Sequence, residues 1–187
     1  MNPVETLLCR KSHNKLTGPA PTKAQVKTMM QAALRAPDHA KLRPWRYQVF
    51  SGESLNRLSN YFVGASLAEN SELDEIRIAK IAAKPLRAPM VIVASVIQIE
   101  HKKVPPVEQL LSAGASVQNL LMTAHFLQLG AIWRTGGLCF NRHLMDLLGY
   151  AENQSIVGFI YLGQEQGSKR AVPQIDQDDF VEWMDSV

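Results

Sequence analysis

Arg10, Lys11 and Ser12 set two cations and a hydroxyl side by side, and far along the chain Trp133, Arg134 and Thr135 set an indole, a guanidinium and a hydroxyl in a row. The first triplet suits a phosphate, because a hydrogen bond to a charged oxygen contributes about 1.5–3 kcal/mol. The second suits a flat ligand, which needs planar surface and donors at its edge. Between them Arg35 and His39 flank Pro37-Asp38, and Pro44-Trp45 follows. Taken singly, each group has a plain alternative. Arg10 to Ser12 can be solvated charge at a helix end, Ala131 to Thr135 a strand with a buried tryptophan, Arg35 and His39 surface residues, and Pro44-Trp45 a strand entry.

Spacing excludes several other chemistries. No G-x-G-x-x-G follows a strand, and Gly163 to Lys169 has three residues between its glycines where a phosphate-binding P-loop needs four. Ser12-His13-Asn14-Lys15 matches the S-x-x-K of serine acyl enzymes, but the companion S-D-N and K-T-G are absent. The five histidines are too dispersed for a compact metal site, so no metal is expected.

Composition bounds the rest. With 187 residues, 46% of them hydrophobic, the chain is expected to form one domain over 1–187. Its net charge of +3 is scattered rather than stacked, which suits a small anionic ligand better than nucleic acid. Cys9 and Cys139 stand alone, without a C-x-x-C. The longest apolar run, Met90 to Ile97, is far below the roughly 18 residues of a membrane span, and no leader-like segment opens the chain. A soluble, cytoplasmic protein is the expectation.

The elements that must position these groups are legible from caps and periodicity. Asn2-Pro3 starts a helix running toward Arg10. Thr22 to Gln25 is a capping box for a helix that Pro37 stops. Strands are predicted near Trp45–Phe50, Met90–Ile99 and Ser155–Leu162, and helices near 53–65, 72–84 and 106–129. Gly130 stands where the last of these wants a left-handed residue, which makes Trp133 to Gly137 a turn. Ala113 to Ser116 is small enough to let another backbone approach the long helix, predicted to lie at the centre of the fold. Asn141 caps a short helix closed by Gly149.

In order and spacing, Arg10-Lys11-Ser12, Arg35 to His39, Arg43-Pro44-Trp45 and Ile132 to Gly137 resemble the nitroreductase family, in particular a subgroup of small members. Leu86-Arg87-Ala88-Pro89, His101 to Pro105, Ser112 to Ala115 and Ile156 to Gly163 extend the resemblance over nearly the whole chain. It implies an α+β nitroreductase-like sandwich, a mixed sheet flanked by helices, assembled as an intertwined homodimer with FMN at the interface. Arg10, Lys11, Ser12, Trp133, Arg134 and Thr135 would contact FMN from one chain, and Arg35 and His39 from its partner. The subgroup also implies a nicotinamide-nucleotide contact at Thr123, Ala124, His125, Phe126, Leu127 and Gln128.

The implied chemistry is ping-pong: NADH or NADPH gives a hydride to the flavin, and a nitroaromatic or quinone-like small molecule takes it. The flavin carries the chemistry, so no catalytic side chain is expected. An FMN store or sensor with little turnover is the alternative, and a hydrolase using Ser12 and Lys15 a distant third. The chain also departs from the wider family's P-S-S-x-N-x-Q-P-W, with Lys41 and Arg43 at the asparagine and glutamine positions. Asn14, followed by Lys15, stands where a basic residue is common, and Lys169 and Arg170 fall roughly where larger members place phosphate ligands.

Overall fold

In the computed structural model, which describes residues 2–167 and 171–184, each local signal has a specific outcome. The elements are α1 (Pro3–Leu8), β1 (Leu16–Thr17), α2 (Lys23–Ala33), β2 (Trp45–Ser51), α3 (Glu53–Glu69), α4 (Glu75–Ala82), β3 (Met90–Ile97), α5 (Pro106–Phe126), β4 (Gly130–Arg134), α6 (Arg142–Leu147) and β5 (Gln154–Glu165). The Thr22 capping box forms, with the Gln25 amide donating to Thr22 Oγ1 at 3.2 Å and the Thr22 amide to Gln25 Oε1 at 2.9 Å. Asn141 caps α6 through the Leu144 amide at 2.9 Å, and Gly149 follows at φ 78°. Lys169 and Arg170 lie outside the described residues.

β3 is buried along nearly its whole length because both its faces are covered. β2 pairs with one side of it and β5 with the other. β5 also pairs with β4 and, near its end, with β1. Where a mixed sheet was expected, all four pairings among the described strands are antiparallel. Side chains alternate across the sheet. Val91 and Val93 point into a core with Phe62, Leu144 and Phe159, under α3 and α6. Ile92, Ala94 and Val96 point into a second core with Met29, Val117 and Leu120, under α2 and α5. The result is a helix–sheet–helix sandwich. The Phe62 and Phe159 rings meet edge to face at 5.0 Å, worth about 0.5–1.5 kcal/mol beyond their burial.

The small-residue patch on α5 admits the end of α2 and the loop after it. Ser116 Oγ donates to the Ala33 carbonyl and Ser112 Oγ to the Pro37 carbonyl, both at 2.7 Å. The end of α5 differs from expectation. The helix stops at Phe126, the left-handed residue is Gln128 at φ 57°, and Gly130 opens β4 instead of ending the helix. Gly130 is needed for closeness: a Cβ there would sit 2.5 Å from Leu16 Cδ2 and 3.1 Å from the Glu165 amide nitrogen.

The same constraint holds at Gly158, where a Cβ would lie 2.0 Å from Trp133 Nε1 and 2.5 Å from Cδ1. Gly158→Ala is therefore expected to destabilise the protein by about 1–3 kcal/mol, checked by urea unfolding, and to change tryptophan fluorescence as Trp133 shifts. Cys139 is buried in the α3–α6 core, and burial pushes its thiol up to about 11 from 9.0. A raised thiol pKa favours the protonated folded state. That contribution is whole below pH 9.0 and is lost as pH rises through about 11. Cys9 is exposed, so a disulfide reagent at pH 8 is expected to label it rapidly and Cys139 only on unfolding.

Candidate cofactor site

After α1 the chain runs alongside β4. The His13 amide donates to the Ala131 carbonyl at 3.0 Å, and the Ala131 amide donates to His13 Nδ1 at 3.3 Å. Because Nδ1 accepts, the ring proton is assigned to Nε2, which lies 3.5 Å from Glu165 Oε2. Lys11 Nζ lies 3.3 Å from the other oxygen of that carboxylate. One acid at the end of β5 thus holds two members of the 11–13 segment. On the other side of the tie, Arg134 Nη2 donates to Asn14 Oδ1 at 3.5 Å, bringing the two sequence-distant motifs into contact.

Trp133 and Arg134 lie in strand β4, paired with Ile160 and Phe159, rather than in the turn expected there. The turn starts at Thr135 and Gly136, the latter at φ 118°. β5 offers β4 a full ladder of partners, and that pairing outweighs the turn tendency of the flanking glycines. The Trp133 indole is committed to the fold, with Nε1 donating to the Val157 carbonyl at 3.3 Å. The Arg134 guanidinium carbon stands 5.8 Å from the Tyr161 ring centre, and its Nε is buried with no hydrogen-bond partner. Burial pushes the Tyr161 phenol up, opposed by the nearby charges of Arg134 and Arg87.

Two cavities flank this junction. One, of about 750 Å³, is lined by Lys11 and His13 together with His125, Phe126 and Gln128 from the end of α5. The other, of about 380 Å³, is lined by Trp133, Arg134 and Thr135 together with Lys84 and Arg87. Lys84 and Arg87 escape the sequence reading of the site, although Arg87 belongs to the Leu86–Pro89 motif; only folding brings them opposite Arg134. Ser12 lines a smaller hollow with Lys11, Asn14 and Lys15. Arg10 is half-buried, and its charge reaches His125. Burial first, then the charges of Arg10 and Lys11, hold His125 below the ordinary imidazole range, against a Thr6 backbone hydrogen bond that raises it.

Within 123–128 the residues diverge. Thr123 Oγ1 is used on the Asn119 carbonyl, Ala124 is wholly buried, and Leu127 does not line the cavity that His125, Phe126 and Gln128 line. Among the described residues, Arg35 and His39 line none of the cavities that hold the other predicted groups. Arg35 faces a separate pocket beside Lys41 and Arg43, and His39 Nδ1 lies 2.7 Å from Glu108 Oε2. The junction itself offers cations, a hydroxyl, free amide edge beyond β4 and an orphaned guanidinium nitrogen. That donor set fits a phosphorylated, electron-accepting ring such as FMN.

The nitroreductase family profile matches residues 7–164. The chain is 37% identical over 166 residues to the candidate NAD(P)H nitroreductase YdjA of Escherichia coli strain K12, covering 89% of this chain and 90% of that one. Among solved structures, a nitroreductase-like family protein from Bacillus cereus superposes with a TM-score of 0.85 at 20% identity, over 100% of this chain and 97% of that one. A candidate nitroreductase from Desulfovibrio desulfuricans, crystallised in complex with FMN, superposes with a TM-score of 0.73 at 20% identity, over 98% and 97%. With profile, relatives and fold in agreement over most of its length, this chain belongs to the nitroreductase family.

Proposed function

We propose that the protein is an FMN-dependent oxidoreductase that takes hydride from NADH or NADPH and reduces nitroaromatic or quinone-like acceptors, as a homodimer of single-domain chains in the cytoplasm. The observation that carries this reading is the convergence of Lys11, Ser12 and Asn14 with Arg134 through the His13–Ala131 pairing, beside Lys84 and Arg87. The YdjA relative's name supports NAD(P)H as donor, and the FMN complex of the Desulfovibrio structure supports the cofactor.

In this reading Arg10, Lys11 and Ser12 hold the phosphate, and Arg134, Thr135, Lys84 and Arg87 surround the ring edge. When bound, FMN would supply the redox chemistry, as the group through which a hydride passes from the nicotinamide donor to the acceptor. The chain's own residues bind, orient and provide positive charge, which favours an anionic reduced ligand. His125, Phe126 and Gln128 border a cavity that also contains Lys11, a reasonable berth for part of the nicotinamide nucleotide.

Dimerisation is supported by apolar surface left uncovered. Val4, Leu7 and Leu8 on α1 are 54–66% exposed, Val107, Leu110 and Leu111 on α5 are 47–67%, and Phe180, Trp183 and Met184 near the end are 67–80%. Surface of that kind marks an interface. A partner there would also bring its own Arg35 and His39, which in one chain lie apart from the junction.

Arg10→Ala is expected to weaken FMN binding by about 1.5–3 kcal/mol, roughly ten- to a hundredfold, in a fluorescence titration. Unchanged affinity would remove Arg10 from the phosphate site. Anaerobic stopped-flow mixing of the FMN-loaded protein with NADPH or NADH is expected to bleach the flavin band. Persistent yellow colour at saturating donor would leave an FMN-storage or sensing role in place of the reductase.

A further inference from the structure

One face of α5 carries a row of polar side chains that reach across to the end of α2 and the loop after it. Glu108, Ser112 and Ser116 stand four residues apart, so they share that face, and Asn119 completes it one turn on. Three of the four hold backbone carbonyls. Asn119 Nδ2 donates to Ala32 at 3.2 Å, and Ser116 Oγ to Ala33 and Ser112 Oγ to Pro37, both at 2.7 Å. Glu108 breaks the pattern by holding a side chain, its Oε2 lying 2.7 Å from Nδ1 of His39. The row also climbs from the interior to the surface, from Ser116 at 0% exposure through Ser112 at 7% to the Glu108 side chain at 43% and that of His39 at 53%.

The loop is built to keep that histidine in place. His39 opens the short turn His39–Lys41, and Ala40 and Lys41 after it both sit in the left-handed region, at φ 59° and 57°. Residues of these types seldom adopt it, and such strain persists only where the surroundings enforce it. Here Asp38 Oδ2 accepts the Arg43 amide at 2.7 Å, while Ser112 holds the Pro37 carbonyl. Glu108 is left for the ring: among the described residues its carboxylate has no other partner. A carboxylate only accepts, so the proton between the two is assigned to Nδ1. In the neutral imidazole Nε2 is then an acceptor facing away from the acid, because the bond at one ring nitrogen decides the proton at the other.

We infer that Glu108 is the positioning residue for His39: by accepting from Nδ1 it fixes both the orientation and the tautomer of the ring, so that Nε2 is offered as an acceptor to an N–H or O–H donor of FMN. This inference rests on the redox reading above, in which His39 reaches the cofactor across the dimer. FMN carries such donors in its ring imide and its ribityl hydroxyls. Without Glu108 the imidazole turns and exchanges its tautomers, and His39 is present but no longer aimed.

The test follows the His39 ring and the cofactor separately. Long-range proton–nitrogen correlation spectra of the flavin-free, full-length protein, recorded above the ordinary imidazole range, are expected to show the His39 proton on Nδ1, and Glu108→Ala to move it toward Nε2. Fluorescence titration with FMN is expected to show about tenfold weaker binding for Glu108→Ala at unchanged Tm, the size of one hydrogen bond. Glu108→Gln keeps an acceptor at the same reach and is expected to stay within about threefold of the unaltered protein. In a His39→Ala background, Glu108→Ala is expected to weaken FMN no further, since it acts only through the ring. Unchanged FMN affinity in Glu108→Ala, additive losses in the double variant, equal losses for the Gln and Ala variants, or a His39 proton that Glu108→Ala leaves on Nδ1 would each overturn the proposal. If the unaltered protein takes up no FMN at all, the redox reading fails, and the spectra alone decide whether Glu108 orients His39.

Discussion

The structure depends on one short-range tie between distant segments: His13 exchanging two hydrogen bonds with Ala131, backbone to backbone and backbone to ring. A histidine there does what a strand residue alone could not. Its amide continues the edge of β4, its Nδ1 accepts the next donor, and its remaining N–H faces Glu165. The ring is buried, so each of these bonds forms away from competing water, where an unpaired donor would cost about 1–3 kcal/mol. Everything on either side inherits this register. Lys11 and Ser12 are carried to one side of Glu165, and Asn14 is delivered to Arg134.

Around that tie, closeness is achieved by omission of side chains. Gly130 and Gly158 stand where a single carbon would strike Leu16 or Trp133, and Gly163 where it would strike Pro89 and the Thr17 carbonyl. β5 can therefore serve three neighbours, β3, β4 and the two-residue β1, within twelve residues. A denser strand would push β4 outward and carry Arg134 with it. Packing and chemistry are thus coupled through glycine: the strand that fills the sandwich also sets the position of the guanidinium.

Electrostatics shows the same division. Arg142 and Lys11 meet acids and are accounted for by the fold. Arg134 keeps a buried nitrogen without a partner while Lys84 and Arg87 face it across a cavity, an arrangement that costs stability unless an anionic or π-rich ligand completes it. His125, whose pKa burial and the surrounding cations hold below the ordinary imidazole range, borders the adjoining cavity. Such uncompensated groups in a fold otherwise well satisfied are the mark of a site shaped for something outside the chain.

What the amino-acid order determined by itself was local or periodic. The Thr22 and Asn141 caps, the apolar β3 and the long α5 all rest on contacts within a few residues or on burial of a whole stretch, and the motifs around Arg10 and Trp133 were recognisable as they stand. Only the tertiary structure decided the rest. β1 has no signal because two residues become a strand solely by pairing with Glu165 and Gln164. Gly130 reads as a helix terminator until Leu16 is seen against it, and Trp133 to Arg134 reads as a turn until β5 supplies partners. Lys84 and Arg87 join Arg134 across more than forty residues of chain. The physical reason is common to all of these: caps and periods are set by neighbours in sequence, whereas pairing, close approach and the gathering of charge are set by neighbours in space.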